Sequence, residues 1–270
     1  MEKFYNENYK KLFLVPIILL LISLLIILNF YQKTGDIINK DVALKGGLNM
    51  EIKDPSVNSI GTEDLKQRLE TKFPTWDFFI RDLEDFATSE KIGVTIESSG
   101  VNESQLKSEI ENILNVKLIE SKNLLVGRTS PSLGESFYKQ MLMTLLIAFL
   151  FMAITVFLIY RKIIPSLAIV LAPILNTINT IAFIDLAGFR VSDATIAALL
   201  LMIGYSVDTD VLLTTKVLKT KEGSVFQRML SSFKTGITMT SASVVSLFLA
   251  FLVAKSFILK EMFIILIIGP

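Results

Sequence analysis

Residues 141–160 read MLMTLLIAFLFMAITVFLIY, twenty consecutive positions without a charged side chain. As a helix rising 1.5 Å per residue this run is ~30 Å long, the thickness of a bilayer's hydrocarbon core. A soluble helix needs one apolar stripe, whereas this run is apolar around its whole circumference. Four more windows share the character, at 12–30, 163–186, 194–218 and 236–254, and only 194–218 carries charge near its middle. The chain is 51% hydrophobic and 20% charged, so its charges crowd into the segments between these windows. The expectation is a polytopic α-helical membrane protein.

Lys10 and Lys11 precede the first window as they would precede a signal peptide. The window exceeds the ~7–15 apolar residues of a signal and is followed by Tyr31, Gln32 and Lys33 in place of a small-residue cleavage site. It reads as a retained anchor. Basic residues resist translocation, so loop Lys and Arg set the orientation. Lys3, Lys10, Lys11, Arg161, Lys162, Lys216, Lys219, Lys221, Arg228 and Lys234 fall on one side, against Lys139, Arg190, Lys255 and Lys260 on the other. The N-terminus is therefore expected in the cytoplasm and residues 31–136 outside the plasma membrane. That segment holds 18 of the 26 acidic residues against 13 basic ones, which makes it mildly anionic. The basic residues at membrane edges are explained by orientation, so nothing points to nucleic acid. Cysteine and histidine are both absent. Thiol chemistry, disulfides and the commonest metal ligand are thereby excluded, no cofactor is called for, and proton handling falls to carboxylates.

The division expected is 1–30 for the cytoplasmic start and first span, 31–136 for an exterior domain, and 137–270 for the remaining spans. Within 31–136, residues 42–52 alternate loosely around Gly46 and Gly47, Thr62–Lys72 is helical in pattern, and 78–83 and 92–96 look like strands. Asn102 and Gln105 form a capping pair for a helix with Leu106, Ile110, Ile113 and Leu114 on one stripe. Residues 118–120 and 124–126 supply a last strand or hairpin. The order β-α-β-β-α-β predicts a ferredoxin-like α/β domain. Residues 128–140, with Pro131 and Gly134, read as a connection to the second span, either a rigid linker or a plain turn. After residue 254, Lys255, Lys260 and Glu261 precede an apolar stretch too short to span. A six-span bundle whose last span is truncated is expected.

The stretch 204–213, GYSVDTDVLL, places two carboxylates inside a span. Entered from outside at Ala194, an untilted helix carries Asp208 about 21 Å down, within the hydrocarbon core. Carboxylates there are costly unless paired, protonated or water-facing, which marks Asp208 and Asp210 as ion-path candidates; hydration near the cytoplasmic edge or helix gluing is the alternative. Two residues apart is ~200° of helical rotation, so the pair face apart, with Ser206, Asp210 and Thr214 on one face. Asn176 and Asn179 share a face of the third span, either as partners of Asp208 or of water in a proton path, or as packing amides. Thr235, Thr238, Thr240, Ser241, Ala242 and Ser243 give the fifth span a small-residue surface for close packing or a water-lined path. An intramembrane aspartyl protease pairing Asp185 with Asp208 fails on depth, since Asp185 lies ~33 Å along a helix that starts inside.

Four stretches together carry a family likeness: DVALKGG at 41–47, TSPSLGESFYKQ at 129–140, GYSVDTDVLL at 204–213, and the Thr/Ser-rich fifth span followed by Leu259, Lys260 and Glu261. On these the chain resembles the SecF family of the protein-export machinery, most closely its archaeal form. Asp41, Gly46, Gly47, Gly134, Tyr205 and Ser206 are the motif residues matched. Bacterial members usually show Asn-Asp where this chain has Asp208-Thr209, a pattern closer to that of SecD. The resemblance implies six spans with an exterior loop between the first two. It also implies an accessory translocase subunit that pairs with a SecD-like subunit beside the SecY channel, assists export of an unfolded polypeptide, and couples that to the proton gradient. An independent small transporter of the related resistance-nodulation-division class and a scaffold without ion coupling are the other readings.

Overall fold

Alternation of period two and stripes of period 3.6 share the chain with uniformly apolar runs, and the structure separates them. A computed structural model describes residue 8 and residues 11–85, 90–100, 102–221 and 223–269, with nothing said of the side chains of 58 and 59. Lys3 and Lys10 lie outside the described residues. Along the chain run α1 (Leu14–Thr34), β1 (Gly47–Ile52), α2 (Thr62–Lys72), β2 (Asp77–Glu84), β3 (Lys91–Ser99), α3 (Glu103–Leu114), β4 (Leu124–Thr129), α4 (Pro131–Tyr160), α5 (Ile163–Ala187), α6 (Asp193–Lys219), α7 (Val225–Val253) and α8 (Phe257–Ile268). They divide into an α/β unit, Lys40–Met141 with Lys255–Phe257, and a helical unit, Met1–Asn39, Leu142–Ala254 and Ile258–Pro270.

In the α/β unit the strands form one antiparallel sheet in the order β2-β3-β1-β4. Alternate residues of β1 face the helices, and Met50 stands opposite Ile96 on one side and Val126 on the other. Leu65 and Leu69 of α2 and Leu106, Ile110 and Leu114 of α3 close over this face. Each fully buried aliphatic side chain there is worth about 2 kcal/mol of apolar transfer. Asn102 caps α3 by accepting from the Ser104 backbone N–H at 3.1 Å. On the opposite sheet face Arg81 pairs with the buried Glu97 at 2.9 Å, and the Phe257 ring lies 6.1 Å from that of Phe79.

Three expectations change. Residues 42–45 form a single helical turn, not strand, because Asp41 accepts from the Ala43 N–H and Gly46, at φ +83°, stops the turn before β1 begins. Residues 128–140 are not a connecting turn: Arg128 and Thr129 complete β4, and α4 starts at Pro131. Proline suits the first helical position, where its missing N–H would have been unpaired, and the Ser130 hydroxyl accepts from Leu133 N–H at 3.2 Å. Residues 118–120 stay outside the strands: Leu118 is buried, and Ser121, at φ +66°, turns the chain into β4.

Among the described residues five helices, α1, α4, α5, α6 and α7, are long and apolar enough to cross a membrane. Their outward faces carry large apolar side chains, such as Leu25 at 65% and Phe151 at 66% exposure, which only hydrocarbon would cover without cost. The molecule is a polytopic helical membrane protein. The helix α7 starts at Val225, well before the apolar window, because Ser224 and Gln227 form a capping box. The stretch after 254 forms α8, twelve residues long, with Glu261 buried. Pro173 sits inside α5, where the Thr177 hydroxyl donates to its carbonyl at 2.8 Å. The helix α1 packs on α5, α5 on α6, and α6 on α7.

Candidate functional site: a polar ladder between spanning helices

Polar side chains of the apolar helices meet in pairs. Asn176 of α5 donates its amide N–H to Ser206 Oγ of α6 at 2.8 Å. One turn further along α5, Asn179 Oδ1 accepts from the Ser23 hydroxyl of α1, also at 2.8 Å. Thr180 donates to the Asn176 carbonyl and lies 3.3 Å from the Met202 sulfur. Tyr160, the last residue of α4, donates its hydroxyl to the Val211 carbonyl at 2.9 Å, with Thr215 Oγ1 at 2.7 Å. In a hydrocarbon surround an unpaired hydroxyl or amide costs several times what the pair gains, so these contacts fix the rotation of α1, α4 and α6 about α5 and one another.

The two asparagines thus meet serines. Ser206 is buried, Asp210 half-buried and Asp208 exposed, so the motif GYSVDTDVLL turns one face inward and another, with Tyr205 and Asp208, outward. The helix α7 approaches α6 closely, since a Cβ on Gly236 would sit 3.0 Å from Thr209 Cγ2. Beside this contact lies a cavity of about 250 Å³ lined by Thr209, Leu213, Ser232, Gly236, Thr240 and Ser241. Thr235 accepts from Lys216 Nζ at 3.3 Å, and Thr238 donates to the Lys234 carbonyl within its own helix. Among the described residues no three carboxylates gather as a metal site. Among the described residues the ladder consists of neutral hydroxyl, amide and carbonyl pairs, whose chemistry is that of positioning.

A second group of motif residues meets in the α/β unit. Gly46 and Gly134 touch: a Cβ on Gly134 would lie 2.7 Å from the Gly46 nitrogen and 3.0 Å from the Leu44 carbonyl, and a Cβ on Gly46 would lie 2.6 Å from Pro131 Cα. Asp41 caps the turn that presents Gly46, and Gly47 opens β1 opposite Thr129. Lys40 places its ammonium 4.2 Å from the centre of the Tyr138 ring. The stretches 41–47 and 129–140, distant in sequence, are one packed junction.

Residues 109–270 match the family model described as Protein export membrane protein SecD/SecF, C-terminal. The chain belongs to the SecD/SecF family. The SecF protein of Methanothermobacter thermautotrophicus is 31% identical over 97% of this chain and 86% of its own length. That of Methanocaldococcus jannaschii is 31% identical over 93% and 84%. Both are named protein-export membrane proteins. The fold is similar to a crystal structure of SecDF from Thermus thermophilus, a translocon-associated membrane protein, with a TM-score of 0.72 and 14% identity over 97% of this chain. This SecD/SecF-family chain spans only 35% of that SecDF chain.

Sequence reasoning passed over Ser23, Tyr160 and the structural use of Asp185. Ser23 was detectable as a hydroxyl within an otherwise aliphatic run, LLLISLLIIL. Asp185 is buried near the end of α5, and its Oδ1 accepts from the backbone N–H of Asn39 at 3.1 Å. Nothing local marks that contact, because its donor is a main-chain group of another segment.

Proposed function

We propose that this chain is an accessory subunit of the Sec protein-export machinery, acting with a SecD-like subunit. The single observation that carries the reading is similarity along nearly the whole chain to proteins named protein-export membrane protein SecF. The SecDF comparison supports the pairing: this chain covers about a third of a single polypeptide whose name joins SecD and SecF, so a separate SecD-like chain is the natural source of the remainder. The α/β unit is ferredoxin-like, a reading supported by its β-α-β-β-α-β order and β2-β3-β1-β4 sheet. It faces the exterior at 31–136 and the N-terminus faces the cytoplasm, as the loop charge distribution favours. The stretch from Phe257 begins a sixth span.

In this reading the subunit stands beside the SecY channel and contacts the unfolded polypeptide through its exterior unit. Asp208 and Asp210 sit on α6 where a change of protonation would alter which helix packing is preferred, and Asn176 and Asn179 hold α5 against α6 and α1 around them. The helix α4 runs from Pro131 to Tyr160, whose hydroxyl donates to the Val211 carbonyl of α6. Co-expression with a SecD-like subunit and purification in mild detergent tests the assignment. The two should elute together at fixed stoichiometry, and recovery of this chain alone in an intact state refutes it.

A further inference from the structure

The helix α1 ends at Thr34, where Gly35 takes φ +77°, and the chain bends back so that Asn39 lies against the turn joining α5 to α6. The backbone of Asn39 is held from both sides. Its N–H donates to Asp185 Oδ1 at 3.1 Å, and its carbonyl accepts from the Val191 N–H at 2.7 Å. The α/β unit begins at the next residue, Lys40. Asp185 is 8% exposed, and its Oδ2 is buried with no hydrogen-bond partner among the described residues. An acidic residue in the last turn of a helix is opposed by the macrodipole, and the end of α5 is already closed by Gly188, whose N–H bonds back to Ile184 and Asp185. Stability of α5 therefore does not account for Asp185; its acceptor for Asn39 does.

We propose that Asp185 is a positioning residue of this subunit: it fastens the segment leaving the first span to the turn between α5 and α6, fixing the point from which the α/β unit departs. The proposal rests on the export reading above and adds to it a specific attachment. The helix α1 is bound to α5 in the bundle through Ser23 and Asn179, and again beyond its end through Asn39 and Asp185. The two helices that meet at this turn, α5 and α6, carry the Asn176–Ser206 pair and the aspartates. A shift of that hairpin then displaces Asn39, and with it the first residue of the α/β unit. The contact needs only an acceptor at 185 and only backbone at 39 and 191.

The chain lacks cysteine, so the pair Asn39→Cys with Val191→Cys reports the contact directly in membranes holding the full chain and its SecD-like partner. Asp185→Asn keeps an acceptor oxygen and should leave both the oxidative cross-linking rate and gradient-dependent export at the level of the parent pair. Asp185→Leu and Asp185→Ala should slow cross-linking at least fivefold and remove more than half of the export stimulation, with the chain and its partner recovered in normal amount. Cross-linking of Asp185→Leu at the parent rate overturns the attachment. Slowed cross-linking with full stimulation overturns its role in positioning, as does failure of both variants to accumulate, which would make Asp185 a folding residue alone. Loss of partner or of stimulation in the parent pair would instead count against the export reading.

Discussion

Gly134 lies in the first turn of α4 with its Cα against Gly46, so close that a Cβ would stand 2.7 Å from the Gly46 nitrogen. The contact joins two segments almost ninety positions apart in the chain, and it leaves no room for any side chain on either residue.

Gly134→Ala and Gly46→Ala should each destabilise the α/β unit by about 1–3 kcal/mol, the usual cost of overpacking a close contact. Gly46→Ala should be the worse, because its φ of +83° adds backbone strain for an L side chain. Urea denaturation of a soluble fragment 40–136 measures this. A fragment ending at residue 125 should be less stable than one ending at 136, since it lacks most of β4 and the whole junction with Pro131 and Gly134. Equal midpoints for the two fragments would show that the junction contributes nothing.

Acid should weaken the same fragment in a defined way. Arg128 donates to the Glu103 carboxylate at 2.6 Å and holds its pKa below the ordinary value. The Ser56 backbone N–H and hydroxyl, with Asn123, lower that of Asp54. A depressed folded-state pKa adds stability above the unfolded-state value and loses it as pH falls through the folded one. Urea midpoints should therefore drop between about pH 5 and pH 3, the carboxylate range. Glu103→Gln with Asp54→Asn should lower the midpoint at neutral pH and flatten its fall in acid. An unchanged acid slope in the double variant refutes the linkage.

The Asn176–Ser206 pair is predicted to couple α5 to α6 by about 0.6–1.7 kcal/mol, the range found for hydrogen bonds between membrane helices. Asn176→Ala, Ser206→Ala and the double variant form a cycle that can be read by detergent unfolding. Strict additivity would mean that the bond is not made.

Asp208→Asn preserves size and hydrogen-bonding capacity while removing titration. Membrane insertion and association with the SecD-like partner should be normal, and stimulation of export by an imposed proton gradient should be lost. Asp210→Asn should be milder, since Asp210 is half-buried on another side of α6. Normal stimulation by Asp208→Asn under a measured gradient would leave the subunit as a scaffold.

Orientation can be read by cysteine labelling on a background without native cysteines. Lys122 is exposed in the α/β unit and Ser224 is exposed just before α7. A cysteine at 122 should react with an impermeant maleimide in intact cells and one at 224 should not. The reverse pattern reverses the topology.

What the sequence by itself determined were the features set by neighbours along the chain. Five apolar runs of spanning length, the helix Thr62–Lys72, the cap at Asn102 and the strands around 78–83 and 92–96 are written in hydropathy and in periods of two or 3.6, because solvent and backbone act on each segment locally. Local patterning also misled. An apolar run containing Gly46 and Gly47 looked like one strand, and a stretch containing Ser130, Pro131 and Gly134 looked like a turn, although the same residues cap and start a helix. Only the tertiary structure decided which polar groups meet. Asn176 could have served Asp208, water or packing, and the rotation of α6 gives it Ser206; Asn179 finds Ser23, more than 150 positions away. Asp185 finds a backbone N–H with no side-chain signature at all. Such partners depend on which helix faces come together, and that choice is made by packing over the whole bundle, which no single segment encodes.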